Sequence, residues 1–122
     1  MSLSDDTLGG YVAVHGRPPG FTGSDGRPYS VGVFSDDDPG ADGRFGAALL
    51  FIRWSEGNAP DGHLESAYLG FGRTPTDAEA EVGRLTLHRV KLVLDALKFL
   101  APFLDAILQR LSPFFDGIPR PL

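Results

Sequence analysis

The sequence contains no cysteine, so disulfide bonds and thiolate metal sites are excluded. A chain without cysteine fits a reducing compartment, and we expect the cytoplasm. The sequence also has no run of about 18 uninterrupted apolar residues, the length that a transmembrane helix needs. Residues 1–10 are mostly polar and acidic, without a basic start or an apolar run, so we expect no secretory signal.

Basic residues are few, and their shortage is local. The chain has 11 Lys and Arg against 16 Asp and Glu, which gives a formal net charge of -5. Residues 1–75 hold ten acidic and five basic residues, whereas residues 76–122 hold six of each. Proteins bind nucleic-acid backbones through clustered Lys and Arg. The acidic body therefore predicts that nucleic acid is not a partner.

Motifs that carry known chemistry are missing from the sequence. It contains neither Gly-x-Ser-x-Gly nor a phosphate loop, and neither a dinucleotide fingerprint nor His-Glu-x-x-His. We therefore expect no cofactor and favour a protein that is not an enzyme. An active site assembled from distant residues is the alternative that motif searches do not test.

The length and turn signals predict one α+β domain. A chain of 122 residues is the size of a single domain. Most of the 16 glycines and 10 prolines lie before residue 76, which is typical of tight turns between short strands. We predict a flexible N-terminus (1–9), an antiparallel meander of three to four strands (10–72), a long helix (74–111) and a proline-rich tail (112–122).

The predicted strands are rich in β-branched and aromatic residues and end at turn signals. They are Gly10–His15, Tyr29–Ser35, Arg44–Trp54 and His63–Gly72. The third of these is apolar on both of its faces, so we place it in the centre of the sheet.

The predicted helix is an apolar cylinder with one polar line. Thr74 is a suitable N-cap, and Pro75 suits the first helical position. Pro102 removes one backbone hydrogen bond, so we predict a kink near residue 102. Steps of three and four residues place one set of polar side chains on a single face. This set is Asp77, Glu81, Arg84, His88, Lys91, Asp95, Lys98, Asp105 and Gln109.

Two short fragments resemble antitoxin-type partner domains of the HicB kind. They are Gly72-Arg-Thr-Pro-Thr-Asp-Ala78, at the entry to the helix, and Gly10-Tyr-Val-Ala13. The resemblance implies a small sheet followed by an amphipathic helix. It covers a small part of the chain, and we derive no function from it.

A helix of about 36 residues spans about 54 Å, whereas strands of about six residues span only ~20 Å. The second half of the helix should therefore extend beyond the sheet and expose apolar residues, which marks an interface. The predicted interface residues are Phe99, Phe103, Leu104, Ile107, Leu108, Leu111, Phe114 and Phe115. The preferred interpretation is a protein-interaction domain that packs on a second copy, as a homodimer, or on another protein.

Two alternatives remain for this apolar segment. The helix beyond Pro102 could fold back over the other face of the sheet, which gives a monomer. It could also lie on a membrane surface, although its polar line lacks the excess of basic residues that such helices prefer. We therefore expect no membrane partner.

A second hypothesis is a small-molecule, metal-binding or catalytic domain that uses the polar face of the sheet. His63 and Glu65 lie two residues apart on one strand and share a face. Arg53, at the end of the neighbouring strand, could line that face. Together with a third ligand, His63 and Glu65 could hold a divalent ion. The simpler alternative is a polar cluster between strands that meets solvent.

The acidic turn after the second predicted strand resembles a calcium loop only in part. Asp38 and Asp42 have suitable spacing, but Gly40 occupies the third position and Leu49 the twelfth, where a bidentate glutamate belongs. We therefore predict a solvated turn there.

Overall fold

The structure is a computed structural model that describes residues 5–100. Its elements are α1 (Leu8–His15), β1 (Gly20–Thr22), β2 (Pro28–Ser35), β3 (Phe45–Trp54), β4 (Pro60–Glu65), β5 (Gly70–Gly72), α2 (Pro75–Gly83) and α3, which covers residues 87–100 of the described part. The predicted α+β class is confirmed.

The five strands form one antiparallel sheet in the order β1-β2-β3-β4, and β5 also pairs with β3. β3 is central, as its two apolar faces predict, because β2 occupies one of its edges while β4 and β5 share the other. Tyr29 lies opposite Arg53, and Ser35 lies opposite Ala47. The turn between β1 and β2 uses Gly26 at φ 76°, a left-handed conformation that favours glycine.

The predicted strand His63–Gly72 is wrong as a single element, because residues 66–69 form a bulge between β4 and β5. Hydrogen bonds of Ser66 take the place of the regular backbone pairing with β3 at this point. Its N–H donates to the carbonyl of Leu49, and its Oγ accepts from the N–H of Leu49 at 2.9 Å. A serine hydroxyl competes with backbone partners in this way, so the strand bends without leaving a buried group unsatisfied.

The predicted strand Gly10–His15 is also wrong, because these residues belong to α1. Thr7 caps the helix by accepting a hydrogen bond on Oγ1 from the N–H of Gly10 at 3.0 Å. Gly16 ends it at φ 66°. A capping threonine and a left-handed glycine frame the segment, and they outweigh the weak β preference of its valines.

The predicted continuous helix 74–111 is interrupted at residues 84–86. α2 begins as predicted, with Thr74 Oγ1 accepting from the N–H of Asp77 at 3.1 Å, but it ends at Gly83. Thr86 then caps α3 by accepting from the N–H of Arg89 at 3.1 Å. The predicted kink near Pro102 lies outside the described residues.

The N-terminal segment explains why the helix breaks there. The N–H of Leu8 donates to the carbonyl of Leu85, and the N–H of Leu87 donates to the carbonyl of Asp6, both at 2.8 Å. These bonds satisfy backbone groups that the break would otherwise leave without partners. The prediction of a flexible segment 1–9 is therefore wrong for residues 5–9, where Leu8 is only 2% exposed.

The hydrophobic core lies between one face of the sheet and the helices. Odd-numbered residues of β2 and β3 supply the sheet side, and α1, α2 and α3 supply the cover. Each large buried side chain stabilises the fold by about 1.5–3 kcal/mol. The main members are Leu8, Tyr29, Val31, Leu49, Phe51, Val82, Val90 and Leu94.

No helix within residues 5–100 is both long enough and apolar enough to cross a membrane. Seven of the eight predicted interface residues, all except Phe99, lie outside the described part of the chain, as does the proline-rich tail.

Candidate functional site

The outer side of α3 beyond residue 90 is an exposed apolar surface. From residue 91 to residue 100, four residues are exposed, and all four are apolar: Leu92, Ala96, Phe99 and Leu100. The steps of four and three residues place Leu92, Ala96 and Phe99 along one line of the helix. We call these four residues the α3 surface. Phe99, which the sequence predicted at an interface, is 68% exposed.

The charged residues of the polar line of α3 beyond residue 90 form ion pairs. Lys91 Nζ lies 2.6 Å from Asp95 Oδ1, one helical turn away. Lys98 Nζ lies 3.2 Å from Asp25 Oδ2, in the turn between β1 and β2. These charged side chains are partly covered, whereas Leu92 and Leu100 face solvent. The burial of Val90 and Leu94 in the core sets which side of α3 points outward, and the ion pair to Asp25 agrees with that orientation.

Asp25 is held in its charged form by three donors. Desolvation raises the pKa of this carboxyl. However, the Tyr29 hydroxyl at 2.7 Å, the N–H of Arg27 at 3.0 Å and the Lys98 ammonium outweigh desolvation and hold the pKa at about 2. Burial and the bond to Asp25 raise the pKa of Tyr29, which therefore stays a neutral donor.

Replacing Asp25 with Asn should destabilise the protein by about 1–2 kcal/mol at neutral pH, because a charge-assisted cluster is lost. The pKa of Asp25 in the folded state lies below its ordinary value. Its contribution is therefore complete above about pH 4 and is lost as pH falls towards about 2. Urea unfolding across this range should show that the difference between Asp25→Asn and wild type disappears in acid. Asp37→Asn controls for net charge, and a difference that persists at pH 2 would contradict the assignment.

A second charged cluster lies at the same end of the sheet as Asp25. Arg53 Nε donates to Asp61 Oδ1 at 2.8 Å, and Arg27 Nη2 donates to the other oxygen of that carboxylate. Arg27 also donates to the carbonyl of Trp54 at 3.3 Å. The bond from Arg53 lowers the pKa of Asp61, and the same bond raises the pKa of Arg53. Both arginines are thus bound to a carboxylate that stays charged.

The structure does not unite the three residues predicted for a ligand or metal site. Arg53 pairs with Gly62, whereas His63 pairs with Ile52, so the side chains of Arg53 and His63 leave opposite faces of the sheet. The expectation that Arg53 lines the face of His63 is wrong, because its parity places it with Tyr29 on the helix side.

His63 and Glu65 do share a face, as predicted. Their nearest side-chain atoms lie 3.9 Å apart, and the side chains are 66% and 57% exposed. They border a shallow depression of 390 Å³ beside Leu50 and Ile52. Residues 5–100 contain no group of three or more His, Asp or Glu side chains arranged to hold a metal ion.

The acidic turn contains a closed local network. Arg44 donates to Asp42 from its backbone N–H at 3.0 Å and from Nε at 2.7 Å. The side-chain oxygens of Asp42 are thus engaged by an arginine within the turn itself.

Sequence reasoning missed a groove on the helix side of the molecule. Its volume is 980 Å³, and it lies between α1, α2 and the outer edge of β2. The segment 10–15 was predicted as a strand, so no helical wall was expected there. The capping pair Thr7 and Gly16 was the available signal.

Comparison of the chain with protein-family models, curated proteins and solved structures finds no match. Function is therefore inferred from the surfaces described above.

Proposed function

We propose that this protein is an interaction domain that forms a two-fold homodimer through the α3 surface. The observation that supports this proposal is that every exposed residue of α3 from 91 to 100 is apolar. Soluble monomers seldom expose a continuous line of large apolar side chains, and such a line marks an interaction surface.

A second copy is the occupant that this pattern fits. A two-fold dimer needs a surface that is complementary to itself. In an antiparallel pair of α3 helices centred at Ala96, Leu92 of one copy lies opposite Leu100 of the other. The small Ala96 leaves room at the centre for close approach of the two helices, and the four most exposed residues from 91 to 100 are apolar.

The charged line supports the same orientation. Val90 and Leu94 pack in the core and Lys98 pairs with Asp25, so the side of α3 that carries Leu92 is directed outward. The sequence continues the apolar spacing at Phe103 and Ile107, which are among the predicted interface residues. We propose the cytoplasm as the compartment.

Light scattering of the full chain at micromolar concentrations tests the proposal. The expected mass is twice the 13.1 kDa of one chain. A mass of 13.1 kDa that stays constant across these concentrations would contradict the dimer and favour a chain that covers the α3 surface itself.

A further inference from the structure

Strand β2 is longer than the strand beside it. β1 pairs with β2 only from Pro28 to Ser30, and β2 continues to Ser35. Pro18 and Pro19 precede β1 and have no N–H to donate, so they cannot donate to the ladder. The outer edge of β2 therefore has no strand beside it over residues 31–35.

The backbone groups on that edge can be assigned from alternation. Backbone groups of successive residues point to opposite edges of a strand. The N–H of Asp36 donates to the carbonyl of Gly46 in β3 at 3.2 Å. Counting back from Asp36, the N–H and C=O groups of Val31, Val33 and Ser35 point away from β3.

Val33 lies at the centre of this edge. Within residues 5–100, no backbone or side-chain group forms a hydrogen bond with the outward N–H or C=O of Val33. An unpaired strand edge is a template for another strand.

The 980 Å³ groove runs along this edge. α1 packs on α2 through the close approach of Gly9 to Gly83, where a Cβ on Gly9 would lie 3.2 Å from the Gly83 oxygen. α1 therefore forms one side of the groove, and the groove separates it from the edge of β2. The apolar lining comes mainly from Leu8 and Val12 of α1, Val31 and Val33 of β2, and Ala80 of α2.

We propose that this groove binds an extended peptide segment of a partner protein, which adds as a strand to the outer edge of β2. The outward donors and acceptors of Val33 and Ser35 are matched by the backbone of another strand. Alternate side chains of that peptide face α1 and α2, where Val12 and Ala80 favour apolar residues. The remaining side chains face the other side of the sheet. The peptide is therefore an extended segment with apolar residues at every second position and no proline in the paired stretch.

Amide hydrogen exchange of the full chain, followed by NMR, tests the free edge. The Val33 N–H points outward and the Phe34 N–H points to β3, so Val33 should exchange faster by about a hundredfold or more. Equal protection of the two amides overturns the proposal, because the edge would then already be paired.

Peptide selection tests the occupant. A random peptide library displayed on phage is selected on the immobilised full chain. Enriched peptides should share the alternating apolar pattern. Ala80→Trp, at an exposed position in the groove, should weaken their binding by about tenfold or more. Ala13→Trp, at an exposed position of α1 outside the groove, is the matched control and should bind as wild type.

Backbone methylation separates strand pairing from side-chain contact alone. Each selected peptide is made in two forms, with N-methyl groups at either its odd or its even residues. Only one of these forms loses the N–H donors that face β2, and that form should bind about tenfold more weakly or worse. The proposal is overturned by absence of enrichment over bare resin, by unchanged binding to Ala80→Trp, or by unchanged binding of both methylated forms. Leu92→Glu, on the α3 surface, should bind the peptides as wild type, so this test is independent of dimerisation.

Discussion

Leu92→Glu should convert the dimer to a monomer at micromolar concentration. Leu92 is 47% exposed, so the substitution leaves the buried core intact. Two-fold symmetry places the change in both halves of the interface. Each copy loses about 1.5 kcal/mol of apolar burial and also places a carboxylate in an apolar contact. The dissociation constant should therefore rise by at least about a hundredfold, which sedimentation velocity can measure across a dilution series.

Val14→Glu is the matched control for this experiment. Val14 lies on α1 and is 48% exposed, so the variant introduces the same charge at a similarly exposed apolar residue away from α3. It should remain a dimer. If both variants dissociate, or if neither does, the α3 surface is not the interface.

Gly72→Ala should destabilise the fold by about 3 kcal/mol, because α2 lies directly against β5. A Cβ at Gly72 would lie 2.6 Å from the backbone nitrogen of Ala78 and 2.7 Å from Cβ of Asp77. The nitrogen belongs to the first turns of α2, so relief requires the helix to move away from the sheet. Urea unfolding at fixed protein concentration measures the change, since the proposed dimer would make apparent stability depend on concentration.

Gly32→Ala provides the comparison within the same sheet. A Cβ at Gly32 would meet no atom within 4 Å, so this variant should stay within about 0.5 kcal/mol of wild type. Both variants reduce the freedom of the unfolded chain similarly, and their difference therefore reports the contact between α2 and β5. Similar free energies of unfolding for the two variants would show that α2 does not pack closely on β5 at Gly72.

The glycines of β5 also illustrate what a sequence pattern leaves open. Gly70-Phe-Gly72 fits a turn, a bulge or a ligand loop equally well in the sequence. In the structure, a Cβ at Gly70 would lie 2.9 Å from the carbonyl oxygen of Ala78, so both glycines serve close helix packing. Two glycines in a sequence do not show which helix or strand packs against them.

Local sequence signals correctly predicted the features whose conformation depends mainly on neighbouring residues. The cap at Thr74 with Pro75, the turn at Gly26 and the central position of β3 follow from propensity, turn chemistry and two apolar faces. The same reasoning placed His63 and Glu65 on one face, because parity within one strand depends on that strand alone.

Tertiary structure decided the features that depend on distant residues. The break at residues 84–86 is stabilised by backbone hydrogen bonds with Asp6 and Leu8, about 80 positions earlier in the chain. Register between strands placed Arg53 and His63 on opposite faces, and a shift of one residue would have joined them. The outward side of α3 was likewise set by the packing of Val90 and Leu94 in the core, together with the pair Lys98–Asp25. By itself, the sequence determined the α+β class, the central strand and the apolar character of the last helix, because these rest on short-range periodicity. The orientation of that helix and the groove beside β2 arise only when separate segments meet.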